Sequence, residues 1–134
     1  MDILIYENLL QSLKKFNETQ KNYGNEIVRL PPTNPVYPLT IFTEIRNVAN
    51  ASFNSCFDRV ASVGYRADIY AKTKGNITKD IIAREIAQLV DKYLTNVGLL
   101  RVSFNISELE NDSSIFHIIM TYSGNVSEYR KILI

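Results

Sequence analysis

The pattern of apolar and polar positions changes its period once, within residues 63–98. Residues 63–72, VGYRADIYAK, alternate with a period of two, which is typical of a strand with one buried face. After a turn rich in Lys, Gly and Asn, apolar residues recur every three or four positions over 82–97, which predicts an amphipathic helix. Thr78 is suited to the N-cap of this helix and Gly98 to a left-handed C-cap. The sequence therefore predicts a half-buried strand followed by a helix.

The segments before this strand carry patterns of their own. Apolar residues over 5–16 fall on one stripe, which Asp2 can cap, and they predict a first helix packed on a sheet. A short strand is predicted at 26–30. The segment PPTNPVYP (31–38) predicts an extended connector or sheet edge, because proline cannot donate to a strand ladder. Alternation over 39–45 predicts the next strand.

The C-terminal third predicts two more strands. Residues 101–106 alternate, and we expect Val102, Phe104 and Ile106 to point inward. Residues 115–122 form the most apolar run, which favours a central position in the sheet, and Ser-Gly-Asn at 123–125 predicts its end. The apolar tail that follows can close the sheet or add to the sheet edge of a neighbouring subunit.

Together these elements predict the α+β class. We expect a mixed, mostly antiparallel sheet of about four to five strands with two helices packed on it. The whole chain, 1–134, is predicted to be a single domain. Residues 46–61 show no regular spacing of apolar and polar residues. They predict a hairpin with a long flexible loop, and loops of this length are often functional.

Composition fits a globular protein and narrows the function classes. Of the 134 residues 46% are hydrophobic and 22% charged, enough for one core. The net charge of +1 disfavours nucleic acid as the main partner. We expect neither a membrane span nor a signal peptide, because no apolar run is long enough and no basic segment precedes the first one. The single cysteine, Cys56, is typical of a reducing compartment.

No cluster of residues has the spacing of a catalytic, cofactor or metal site. With one His and one Cys, the chain has too few ligands for an ordinary metal centre. His117 alternates within a strand and is better explained as a structural histidine than as a base. Cys56 is better explained as an inert thiol, although either residue keeps catalysis open as a remote alternative. We therefore predict no enzyme activity, no catalytic residue, no cofactor and no metal.

Three short motifs lie within the predicted elements. The strand after the prolines reads YPLTIFTEI (37–45), the next strand ends in Tyr-Ala-Lys (70–72), and Gly98 is followed by LLRVSF (99–104). With the order of the elements, they resemble the tail terminator and tail-to-head joining proteins of long-tailed bacteriophages, also called tail completion or minor capsid proteins. The resemblance covers most of the chain and implies a sheet flanked by helices.

The resemblance also implies a function. Such a protein is a virion component at the head–tail interface, assembled in the host cytoplasm as a ring, usually a hexamer. The ring caps the tail tube and contacts the head completion or connector protein, while DNA passes through its lumen without specific binding. The alternative is a small α+β binding or adaptor module for a peptide strand or nucleic acid.

Ring subunits need heterologous interfaces, which often come from sheet edges, loops and termini. The candidates here are the 46–61 loop, the proline segment and the apolar tail. From the loop and the tail we predict these interface residues: Arg46, Asn50, Phe53, Phe57, Arg59, Tyr129, Ile132 and Ile134.

Overall fold

The protein is described by a computed structural model over residues 5–49, 60–108, 114–127 and 132–133, and these residues form two helices and six strands. In chain order they are α1 (Ile5–Glu18), β1 (Glu26–Val28), β2 (Leu39–Ala49), β3 (Val60–Lys72), α2 (Lys79–Asn96), β4 (Leu100–Glu108), β5 (Ile115–Ser127) and β6 (Ile132–Leu133).

The strands form one sheet in the order β1-β2-β3-β5-β4, with β6 paired to the end of β5. Only β1 and β2 are parallel; the other described pairs are antiparallel. Helix α2 packs on β3 and β5, and α1 packs on α2 and β1, so both helices lie on one face. We call the other face the open face. The predicted α+β class, with a mostly antiparallel sheet and two packed helices, is confirmed.

The core lies between this sheet and the helices. The alternating residues of β3 predicted to be buried are fully buried, from Val63 to Ala71. A stack of aromatic rings joins Tyr6 of α1, Phe42 of β2 and Tyr65 of β3, with neighbouring centroids 5.5 to 6.2 Å apart. The helices contribute their predicted apolar stripes, and β5 contributes every second residue; the largest members are Leu13, Ile82, Ile86, Leu94, Ile118, Met120 and Tyr122.

A buried polar network ties the end of α1 to the first two strands. The side-chain amide of Asn17 donates to the carbonyl of Asn25 at 2.9 Å, and the Asn25 amide donates back to Asn17 Oδ1 at 3.2 Å. Thr40 Oγ1 donates to Asn25 Oδ1 at 3.0 Å. All three side chains are buried, so each bond satisfies a group that burial would otherwise destabilise.

Helix α2 ends as its sequence predicts. Gly98 has φ +108°, a conformation that residues with a Cβ rarely adopt, and its N–H donates to the carbonyl of Thr95. The N–H of Leu99 donates to the carbonyl of Leu94, which closes the last turn and starts β4. At the other end Thr78 has the extended backbone of an N-cap, although no side-chain capping bond is described there.

The strands β2, β3 and β5 are longer than the alternating stretches that predicted them. β2 continues to Ala49 and β3 begins at Val60, so the predicted loop 46–61 was too wide and only 50–59 lies outside the described residues. β5 continues through Gly124 to Ser127, so the predicted break at 123–125 was wrong. The reason is pairing: β3 bonds along the whole of β5, from Lys72 opposite Ile115 to Val60 opposite Ser127. Ladder hydrogen bonds join backbone groups, so a paired strand can continue past the end of its alternating side-chain pattern.

Candidate functional site

The edge strand β4 carries an apolar surface that neither helix covers. Phe104 and Ile106 lie opposite the core residues Met120 and Ile118, so they are on the helix-bearing face of the sheet. Yet Phe104 is 37% exposed, Ile106 45% and Val102 63%. The prediction that these side chains are buried was wrong, because α2 lies mainly over β3 and β5. We call Val102, Phe104 and Ile106 the β4 patch.

A shallow groove between α2 and β4 adjoins this patch. Its floor is Ala87, Phe104 and Met120, and its volume is about 190 Å³. Sites for drug-sized ligands usually exceed about 300 Å³, so the groove suits one or two side chains of a partner protein better than a small molecule. Arg84 and Arg101 stand at its rim.

Both rim arginines already have carboxylate partners. Arg84 Nε lies 2.7 Å from Asp80 Oδ1, one helical turn away, and Arg101 Nη1 lies 3.5 Å from Asp91 Oδ2. The surroundings of the β4 patch are therefore close to neutral. A partner that covered the patch would not have to bury an unpaired charge here, which is usually costly.

The outer edge of β4 has no partner among the described strands. Its register with β5 shifts between Arg101 and Ser103, which places a bulge at Val102. A bulge bends the strand and interrupts its row of hydrogen-bonding groups, and proteins use it to limit edge-to-edge pairing. The bulge therefore disfavours strand pairing near Val102, whereas Ser103 to Glu108 keep a continuous register with β5.

A second group of residues forms a polar cluster on the open face. Asp68 of β3 and His117 of β5 are both buried, and His117 Nε2 lies 2.8 Å from Asp68 Oδ1. Arg66 binds both oxygens of the same carboxylate at 2.9 Å. The ring of Tyr70 stacks on the imidazole, with centroids 4.1 Å apart and planes 13° from parallel. We call these four residues the open-face cluster.

Electrostatics stabilise the ionised form of Asp68. Burial acts to raise the pKa of its carboxyl group, but the hydrogen bonds from His117 and Arg66 and the charge of Arg66 outweigh burial, so the pKa lies below its usual value. The carboxylate in turn raises the pKa of Arg66 through their hydrogen bonds. Burial, with the nearby Asp68 charge, raises the pKa of Tyr70. The cluster is thus a charged, hydrogen-bonded unit.

The geometry of the open-face cluster favours a structural role. A histidine that exchanges protons with a substrate needs a nitrogen within hydrogen-bond reach of it. Here Nε2 is held by Asp68, while Nδ1 is buried with no hydrogen-bond partner. The sequence predicts a structural role for His117, but sequence reasoning missed Asp68. No local pattern marks this pair, because only the register of β3 against β5 puts both residues on one face.

Of the eight predicted interface residues, Arg46 is described with its side chain and Ile132 by its backbone. Arg46 is exposed beside a bulge in β2; its Nε donates to Ser62 Oγ at 3.1 Å and its Nη2 to the carbonyl of Val63 at 3.2 Å. Ile132 pairs with Val126 of β5. The other six lie outside the described residues: Asn50, Phe53, Phe57, Arg59, Tyr129 and Ile134.

The register nevertheless places the strand residues next to the predicted loop and tail at one end of the sheet. Ala49 pairs with Ala61, Ala61 with Val126, and Val126 with Ile132, so these four residues form one rung across β2, β3, β5 and β6. The described strand ends that border the loop and the tail therefore lie at the same end of the sheet. Sequence reasoning proposed both segments separately and had no means of placing them together.

Across the described parts of the chain, His, Cys, Asp and Glu form no group of three or more that could hold a metal ion. None of the described helices is both long and apolar enough to cross a membrane. No protein-family model and no curated protein matches the chain. The proposals below therefore depend on the surface geometry and on the motifs of the sequence.

Proposed function

We propose that the chain is a structural subunit that assembles into a ring, a hexamer, at the head–tail interface of a long-tailed bacteriophage. The ring caps the tail tube and offers its other side to the head completion or connector protein, and DNA passes through its lumen without specific binding. The sequence motifs supply the phage context of this proposal. The observation that carries the assembly role is the β4 patch.

The β4 patch supports self-assembly because an uncovered apolar surface on an edge strand favours a protein partner. Three large apolar side chains of this edge strand are between about a third and two thirds exposed, and two of them, Phe104 and Ile106, share the helix-bearing face. Contiguous apolar surface of this kind typically marks a protein contact. The neutral groove beside it can receive side chains from that partner. A partner that covered the patch would complete the layer that α2 leaves unfinished over β4.

The test is assembly of the purified protein, alone and with tail tubes. We expect mass photometry and negative-stain images to show closed rings, and we expect added protein to bind tube ends and stop tube growth. A protein that stays monomeric at all concentrations and leaves tube growth unchanged would contradict the proposal.

A matched pair of variants connects this assembly to the patch. Lysine at Val102 and Ile106 should abolish ring formation, because it charges the surface that must be covered. Lysine at Ile81, an exposed apolar residue of α2 outside the patch, should leave rings intact. If both variants assemble equally well, the patch does not carry the interface.

A second candidate follows from the free outer edge of β4. Such an edge can bind an extended peptide as an added strand, which is the adaptor function. The bulge at Val102 disfavours this reading, because it interrupts the bonds that an added strand would use. The same experiments separate the two: an adaptor stays monomeric, leaves tubes uncapped and binds extended apolar peptides.

A further inference from the structure

We propose that the β4 patch of one subunit binds residues 29–38 of a second copy of the same chain. These residues extend the predicted connector 31–38 by Arg29 and Leu30, and we call the whole stretch the proline segment. The proposal rests on the proposed ring and specifies which two surfaces meet. The segment connects β1 to β2, and no regular helix or strand is described within it.

The proline segment exposes two large apolar side chains. Leu30 is 71% exposed and Val36 77%, the highest values among the described large hydrophobic residues. Four prolines limit the backbone freedom of the segment, so docking it costs less conformational entropy than docking a flexible loop. Tyr37 and buried Pro38 hold its end against the body, where Lys72 Nζ lies 4.9 Å from the centre of the Tyr37 ring. The segment therefore exposes apolar side chains on a backbone of restricted freedom.

The two surfaces match in the kind of contact that each allows. Proline has no N–H to donate, so this segment cannot extend a ladder along its length and must bind through side chains. The bulge in β4 likewise favours side-chain contact over strand pairing around Val102. The groove of about 190 Å³ beside Phe104 has room for an aliphatic side chain such as that of Leu30 or Val36.

The charges of the two surfaces are also compatible. Residues 30–38 carry no charged side chain, and Arg29 at the start of the segment is paired with Glu7. On the other surface, Arg84 and Arg101 are paired with aspartates. Contact between them buries apolar area and leaves every ion pair in place. The patch exposes on the order of a few hundred Å² of apolar surface, below the roughly 800 Å² per partner of a standard interface, so other contacts must add to it.

The separate positions of the β4 patch and the proline segment determine which kind of contact two subunits can make. The proline segment precedes β2, and β3 and β5 separate β2 from β4, about 14 Å across the sheet. One subunit therefore cannot bring its own two surfaces together. Two different surfaces on one subunit make a heterologous contact, which generates a ring when the rotation closes, whereas an isologous dimer needs one surface that pairs with itself.

Site-directed cross-linking tests the proposal. In a Cys56→Ser background, which removes the only native cysteine, the single variants Val36→Cys and Val102→Cys are treated separately, mixed, and combined in one chain. The reagent is a short bismaleimide. We expect a dimer from the mixture of the two single variants and none from either alone. The double variant should give a ladder of species that ends at the ring size. A double variant with Cys at Ile81 in place of Val102 serves as the control and should give no ladder.

The outcomes separate this inference from the proposed ring. Rings with no 36–102 cross-link would overturn the inference while the ring stands. A dimer from Val102→Cys alone would overturn it in favour of an isologous contact. A 36–102 ladder that never closes would support the contact while contradicting the ring.

Discussion

His117 Nε2 lies 2.8 Å from Asp68 Oδ1, and this contact joins the two central strands β3 and β5 on the open face. The chain's only histidine is thereby tied to a carboxylate that Arg66 also holds. The contact makes Asp68 the residue whose removal should disturb the open face most.

Asp68→Asn should lower the free energy of unfolding by about 1–3 kcal/mol, because it removes the charge that His117 and Arg66 share. Urea denaturation at neutral pH measures this loss. Asp80→Asn is the matched control. It breaks the exposed ion pair between Asp80 and Arg84, which are one helical turn apart, and should cost no more than about 0.5 kcal/mol. Equal losses in the two variants would show that the open-face cluster is not a stabilising unit.

The same carboxylate predicts a pH dependence. Because the pKa of Asp68 is lower in the folded than in the unfolded chain, its contribution is full above the unfolded pKa of about 4 and disappears as the pH falls through the folded pKa. The wild type should therefore lose stability more steeply below about pH 4 than Asp68→Asn does. Urea titrations between pH 7 and 2.5 test this; parallel curves would contradict it.

Two buried tyrosines, Tyr65 and Tyr122, should make the protein lose stability as the pH rises, whereas Asp68 causes a loss as the pH falls. Burial raises the pKa of Tyr65 and of Tyr122, and the hydrogen bond that Tyr122 donates to Asp91 at 2.6 Å raises the second further. Their raised folded pKa stabilises the fold below about pH 10 and loses effect as unfolded tyrosines ionise above it. In absorbance titrations, Tyr122→Phe should leave the native amplitude below pH 11 unchanged. In denaturant, the substitution should reduce the absorbance change by the contribution of one of the eight tyrosines.

Thr40→Val should cost about 1–2 kcal/mol, because it leaves Asn25 Oδ1 without the hydroxyl that donates to it in the buried network. Thr43→Val, on the open face of the same strand, is the control: its hydroxyl is 3.5 Å from the carbonyl of Arg66, and its loss should have little effect. In a double-mutant cycle, Thr40→Val and Asn17→Ala should be non-additive by at least about 0.5 kcal/mol. Strict additivity would show that the three side chains do not act as one network.

Substitutions in β4 and in the adjacent strand β5 should have different effects: those on the exposed edge should affect assembly, and those in the core should affect stability. Lysine at Val102, an exposed edge position, should change the free energy of unfolding by no more than about 0.5 kcal/mol. Ile118→Ala, in the core of β5, should cost about 2–5 kcal/mol. Thermal melts of both variants at a concentration where the wild type is monomeric measure this contrast. A large loss from Val102→Lys would mean that the patch stabilises the subunit itself.

The sequence alone determined the class of the fold, because period is a local property. Alternation over 63–72 and the helical stripe over 82–97 belong to neighbouring residues, and β3 and α2 follow them closely. The end of α2 could be predicted from Gly98 because helix capping is also local: the backbone conformation at this position disfavours a residue with a side chain.

The tertiary structure decided which apolar residues are covered and which polar residues meet. Val102, Phe104 and Ile106 alternate like a core strand, but burial depends on whether a helix lies above the strand, and α2 lies mainly over β3 and β5. Asp68 and His117 are 49 residues apart, and only the register of β3 against β5 brings them to 2.8 Å. The strand ends at Ala49, Val60 and Ser127 likewise depend on a partner strand, because a ladder hydrogen bond needs two chains side by side.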